Sequence, residues 1–317
     1  MKYFIRLIRP ANLLIIAATM YSLAWYFDSI FLSSGKQSYL GTFDFFLLVF
    51  STVLIAAAGN IINDYFDIKA DRVNRPNRII ISKHIKRRWA ILLHWVINFV
   101  AFALAIYLSY RNSTFWYVFI HLLSINLLWY YSMQLKRTLV VGNIIIAVLT
   151  ALVPILVGIF YNQQVDGNEL TYTFPFTLNS AYQYPIYLGF SLGIFAFILN
   201  WTREIIKDIE DIKGDKMIKA RTIPIIWGVR KTKGMSMTLM LITIGLSFFL
   251  FAGRNYIIDY IAFSPLILSA VSIIITFILL FKAKTKSQFK RSHGWVKITM
   301  IFGLLLPLYW AIMIHYF

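Results

Sequence analysis

The chain has 317 residues, of which 59% are hydrophobic and only 14% charged. Soluble domains carry about 25% charged and about 45–50% apolar residues, so an ordinary water-facing fold is excluded. The net charge of +18 would suggest nucleic acid in a soluble protein. In so apolar a chain it marks loops that face anionic lipid headgroups, and no nucleic-acid partner is expected. There are no cysteines, which excludes disulfides, thiolate metal sites and thiol nucleophiles.

The fold class that follows is all-α: one polytopic membrane domain over residues 1–317. Lys2, Arg6 and Arg9 precede an apolar stretch that begins near Asn12. The stretch outruns a signal-peptide core and shows no small-x-small cleavage site before a soluble domain, so it reads as a retained first span. Nine spans are predicted, at about 11–31, 43–63, 89–110, 114–133, 139–160, 184–203, 234–253, 258–281 and 295–316. Pro265 and Pro307 fall inside the last two, where neighbouring helices satisfy the carbonyls a proline frees. Alternating the loops puts the N-terminus and the segments near 64–88, 134–138, 204–233 and 282–294 on one side. With their flanks these hold every Lys and Arg except Lys36, Arg111 and Arg254, while the loop from Tyr161 to Tyr184 carries Asp166 and Glu169 and no base. The positive-inside rule then places the N-terminus in the cytoplasm and the C-terminus outside, in the cell (inner) membrane.

The second span runs into Asp64, Asp67 and Asp71, and the sixth into Asp208, Asp211 and Asp215, at one constant offset. Eight of the 13 acidic residues lie in these two segments, Glu204 and Glu210 being the others. Four spans separate the two sets, an even number, so both emerge on the same cytoplasmic face. If each span continues as a helix, positions i, i+3 and i+7 fall within roughly 60° of one another. Two such acidic faces repel unless a cation sits between them. Mg²⁺ suits the role, being hard, oxygen-seeking and usually shared between carboxylates and substrate phosphates.

Bases are interleaved with the acids: Lys69, Arg72, Arg75 and Arg78 around the first set, and Arg203, Lys207, Lys213, Lys216, Lys219 and Arg221 around the second, with Lys136 and Arg137 between. Carboxylates for metal plus Arg and Lys for phosphate oxygens make a diphosphate site. Arg78 and Lys207 stand nearest the acidic faces. Asn60 lies one turn before Asp64 and Asn63 four residues before Asp67. An amide there serves a metal or a phosphate; for Asn60 a bond between helices is an equal alternative.

The segments NDYFDIKAD and KDIEDIKGD resemble the two aspartate signatures of the UbiA superfamily of intramembrane prenyltransferases. The flanks RPANLL, GNIINDYFD with NRPNR, YSMQLKRTLVVGN and REIIKDIEDIKGD with RTIPIIWG are similar in the same order. The resemblance implies a helical bundle around a central cavity open sideways to lipid, capped on the cytoplasmic side by the two motifs. It implies that Asn63, Asp64, Asp67 and Asp71 form one metal and diphosphate cluster and that Asp208, Asp211 and Asp215 form the other, holding two Mg²⁺. It implies diphosphate contacts from Lys136, Arg137 and Lys207, and a pocket lined by Arg9 and Asn12. The motif wording is most similar to the ether-lipid branch, which moves a geranylgeranyl group to geranylgeranylglyceryl phosphate. One departure is RIIISK where that branch has RPxxSG, with Ile79 for Pro and Lys83 for Gly.

The expected chemistry is Mg²⁺-dependent transfer of a polyprenyl group from its diphosphate to a membrane acceptor. Charge builds on the leaving group as the allylic C1–O bond loosens, and metals and bases offset it. An apolar surround keeps water from the cation, with Tyr65, Tyr130 and Tyr131 as candidate ring faces. A lipid phosphate acceptor is favoured by the abundant cytoplasmic bases, and an aromatic acceptor is the alternative. A cation-coupled transporter would place its charges near the membrane midplane, whereas these lie at one face.

Overall fold

A computed structural model describes residues 2–164, 185–251 and 257–316. Asp166, Glu169 and Arg254, expected on the outer side, lie outside the described residues, as does the side chain of Arg78. Among the described residues the secondary structure is helical. The one strand-like pairing is an isolated bridge between Ile81 and Ile85.

In chain order the helices are α1 (Lys2–Ile8), α2 (Pro10–Ser33), α3 (Phe43–Asn74), α4 (Arg87–Arg111), α5 (Trp116–Met133), α6 (Val141–Gln163), α7 (Pro185–Met217), the single turn α8 (Ile223–Ile226), α9 (Gly228–Phe251), α10 (Ile257–Lys282) and α11 (Lys286–Tyr316). Over the described residues every expected span is helical. Eight of them are long and apolar enough to cross a bilayer by length and composition. The one outside that group is α5, with 18 residues, where His121, Asn126 and a run of Trp and Tyr dilute the apolar content. Pro265 and Pro307 lie inside α10 and α11, and Pro154 inside α6.

Two helices overshoot the expected spans. α3 has 32 residues and α7 has 33, each about 50 Å long at 1.5 Å per residue. The hydrocarbon core is roughly 30 Å thick. Both therefore carry their acidic segments as helix, as the i, i+3, i+7 spacing requires.

The chain forms two compact units. The first holds α1, the start of α2, α3 to α5, the start of α6, the segment from Asp211 to the end of α7, and α8. In it α3 packs along α4 and α5, and α1 lies on α3. Leu7, Ile61, Ile68, Ile80, Ile81 and Ala90 form a buried cluster there. This explains the isoleucine run at 79–81: Ile80 and Ile81 fill space beneath α1, and His84 stacks on Tyr3 at 3.8 Å between ring centroids. Two buried histidines tie the three long helices. His94 of α4 meets the Ala58 carbonyl at 3.0 Å, and His121 of α5 meets the Ser51 hydroxyl at 2.8 Å. Away from water such polar groups must be partnered.

The second unit holds the rest of α2, α6 from Thr150, α7 as far as Glu210, α9 from Arg230, α10 and α11. α6 crosses α7 with the backbones nearly touching. A Cβ at Gly158 would lie 2.7 Å from the Pro185 carbonyl oxygen, the close approach that small residues permit between membrane helices. Asp28, 2% exposed, anchors the turn after α2. It accepts hydrogen bonds from the Ser38 hydroxyl, from the amides of Tyr39 at 2.9 Å and Leu40 at 3.1 Å, and from the Tyr161 hydroxyl at 2.9 Å.

Candidate active site

The overhanging end of α3 presents Asn63, Asp64, Asp67 and Asp71, with Asp67 buried and the others half-buried. The helix thus does what its spacing predicts, and the remaining question is what stands opposite each carboxylate. Arg9, in the link between α1 and α2, pairs with Asp64. Lys136, in a 3-10 turn between α5 and α6, pairs with Asp67 and also reaches Asn63 Oδ1 at 3.2 Å. Arg75, just past the end of α3, holds both oxygens of Asp211 through one nitrogen, at 2.9 and 3.1 Å. Three of the six motif aspartates are thereby offset by side chains of the chain itself. The repulsion expected between bare acidic faces is relieved in this way.

Burial on its own lowers the Lys136 pKa. The Asp67 carboxylate, with Asp71 and Tyr131 nearby, outweighs it and holds the ammonium pKa above its ordinary value, so Lys136 stays charged.

The two acidic helix ends meet directly. The Asn74 amide donates to the Asp211 carbonyl at 3.0 Å, and its oxygen accepts from the Gly214 amide at 3.0 Å. The backbone amide of Arg221, beyond α7, donates to the Arg137 carbonyl at 2.8 Å, so the loop that carries Lys136 is tied to the same place. Segments far apart in sequence converge within the first unit, on one end of α3.

The other expected site residues are placed as follows. Asn60 gives its amide to the Ile8 carbonyl at 2.9 Å and so steadies the turn that carries Arg9. Asn12 is half-buried in the first turns of α2. Arg137 is exposed. Lys207 bonds Glu204 at 2.9 Å, and Glu204 also pairs with Arg203. Asp208 is half-buried on α7, three residues before Asp211, and Asp215 is buried further along the same helix. Tyr65 lies beneath the Arg87 guanidinium, 4.9 Å from its ring centroid, while Tyr131 is buried and Tyr130 exposed. Spacing and composition alone assign no individual role to Asn74, Arg75, Gly214 or Glu204. The NRP of the first flank was the available signal for the first two.

Carboxylate and amide oxygens are the hard donors that Mg²⁺ takes, so the donor chemistry fits that ion. Among the described residues no three His, Cys, Asp or Glu side chains are already gathered as a ligand cluster.

Fold and site together describe a polytopic helical membrane protein whose acids and bases collect at the overhanging ends of two long helices. The profile of the UbiA prenyltransferase family matches residues 15–301, and the chain belongs to that family of prenyltransferases. It is similar to the digeranylgeranylglyceryl phosphate synthase of Methanosphaera stadtmanae, 29% identical over 308 residues, which cover 96% of this chain and 97% of the relative. Its fold is similar to that of a solved digeranylgeranylglyceryl phosphate synthase, with TM-score 0.62, 23% identity and 98% of both chains covered. A UbiA homologue from Archaeoglobus fulgidus, solved with GPP and Mg²⁺, matches with TM-score 0.54 and 16% identity over 96% of this chain and 99% of its own.

Proposed function

We propose that this protein transfers a geranylgeranyl-type group from its diphosphate to a geranylgeranylglyceryl phosphate-type lipid, releasing diphosphate, with Mg²⁺ as cofactor. The observation that carries the reading is the convergence of Asp64, Asp67 and Asp211 with Arg9, Lys136 and Arg75 at one end of α3. Similarity over nearly the whole chain to a digeranylgeranylglyceryl phosphate synthase supports the acceptor.

Asn63, Asp64, Asp67 and Asp71 on one helix and Asp208, Asp211 and Asp215 on the other would hold two Mg²⁺. When bound, the metal offsets charge that builds on the departing diphosphate. Arg9, Lys136, Arg137, Lys207 and Arg78 bind its outer oxygens, with Asn12 beside them, and Asn60 acts through the Arg9 turn. The allylic C1–O bond breaks and its electron pair leaves with the diphosphate. The acceptor hydroxyl oxygen then bonds to C1 and loses its proton. Apolar helix faces hold the tail and exclude water from the cationic carbon. The distribution of loop bases supports nine spans with the N-terminus inside, the C-terminus outside and the site facing the cytoplasm of the cell membrane.

The test incubates purified protein with Mg²⁺, labelled geranylgeranyl diphosphate, and either geranylgeranylglyceryl phosphate or aromatic acceptors. Label in an ether lipid with equimolar diphosphate is expected. Label on an aromatic ring would replace the acceptor, and no diphosphate release would end the reading. Single cysteines placed at Lys36 and Lys83 in this cysteine-free chain report sidedness to a membrane-impermeant thiol reagent.

A further inference from the structure

The geometry points to Asn74 as a positioning residue that locks the two acidic helix ends in register; this rests on the function proposed above and deepens it. The Asn74 amide bridges two backbone groups of α7, the Asp211 carbonyl and the Gly214 amide, both at 3.0 Å. One planar side chain thus fixes the end of α7, from Asp211 on, along its axis and in rotation relative to the end of α3.

Gly214 makes the bridge possible. A Cβ there would stand 2.6 Å from the Asn74 Cγ and 2.9 Å from the Ala70 carbonyl oxygen, so no side chain fits between the helices. Arg75 adds a second tie to the Asp211 carboxylate, but that oxygen pair is a proposed metal donor and the tie must yield when metal binds. These two Asn74 bonds reach backbone groups of α7 and consume no carboxylate oxygen, so they survive metal binding. They keep the Asp71 end of one helix and the Asp211 end of the other at a set offset in both states. A hydrogen-bonded clamp of this kind acts on the metal site through other groups, and its loss typically costs about 10–100-fold in metal affinity.

The experiment uses the full-length protein in nanodiscs. Asn74→Ala and Gly214→Ala should each raise the Mg²⁺ concentration for half-maximal transfer about tenfold while kcat at saturating Mg²⁺ falls little. Each should also lose most of the thermal stabilisation that Mg²⁺ plus inorganic diphosphate gives the parent; the ligand-free Tm of Asn74→Ala should change little, while that of Gly214→Ala, whose Cβ meets the Ala70 carbonyl, should fall. Parent-like metal dependence in Asn74→Ala and Gly214→Ala overturns the clamp. A parent that moves no prenyl group overturns the function instead. The clamp then stands if the thermal response to Mg²⁺ and diphosphate is still lost in the variants.

Discussion

Arg9 meets Asp64 from a backbone turn with φ of 55°, a left-handed conformation that residues other than glycine seldom adopt, directly before Pro10. Strain of this kind costs about 1–3 kcal/mol and persists where the surroundings over-determine it. Here the surroundings are the Asp64 carboxylate on one side and the Asn60 amide on the Ile8 carbonyl on the other. Arg9→Gln removes the charge and keeps the turn. It should raise KM for the prenyl diphosphate roughly tenfold or more, the scale of one charge-assisted hydrogen bond, with little change in Tm. An unchanged KM would leave Arg9 without a substrate role.

Asp67→Asn should abolish diphosphate release, on the order of 10³-fold or more, and leave the protein folded in detergent. The same holds for Asp211→Asn. Each also strips a base of its partner: Asp67→Asn leaves Lys136 and Asp211→Asn leaves Arg75, whose side chains are 27% and 24% exposed, so Tm should fall by a similar, modest amount in both. Near-normal turnover in either variant would remove both residues from the metal site.

Chelation should stop transfer completely, and added Mg²⁺ should restore it. Its effect on stability should be small. Asp64, Asp67 and Asp211 already have basic partners, so metal-free protein does not confront a cluster of bare carboxylates. A chelated Tm within a few degrees of the untreated one is expected, measured without diphosphate. A collapse of Tm on chelation would mean that the ion pairs do not balance the site.

Asp28 provides the contrast. It lies in the second unit and accepts four hydrogen bonds from the turn after α2 and from Tyr161. Asp28→Ala strands those donors and should destabilise the protein by roughly 3 kcal/mol, while the metal dependence of the remaining folded enzyme is unmoved. Thermal unfolding and a Mg²⁺ titration on the same sample separate the two effects.

The acidic triads show how far sequence alone reaches. A spacing of i, i+3 and i+7 after an apolar run already requires α3 and α7 to overshoot the membrane as helix, and they do. The Asn74 bridge and the Arg75 ion pair were hidden for a physical reason. Bases alternate with acids throughout both segments, and nothing local tells which base closes on an acid across 136 residues of chain. Asn60 was open to two readings because an amide at a helix end serves a ligand or a neighbouring helix equally well. Its choice of the Ile8 carbonyl depends on where α1 lands. The status of α5 was visible in its composition, since His121 and Asn126 sit mid-helix, but His121 finds a partner only once Ser51 of α3 is beside it.

The length of α3 bears on which lipids the protein tolerates. Eleven residues from Asp64 to Asn74 run on as helix beyond the expected span, a rise of roughly 16 Å. Bilayers differ in thickness by only a few ångströms, and such hydrophobic mismatch is absorbed at modest cost by tilt or by local deformation. A change of that size shifts the water boundary by about one helical turn and leaves Asp67, Asp71 and Asn74 on the aqueous side. Acyl-chain length should therefore alter how the hydrocarbon-embedded part tilts far more than how the charged end works.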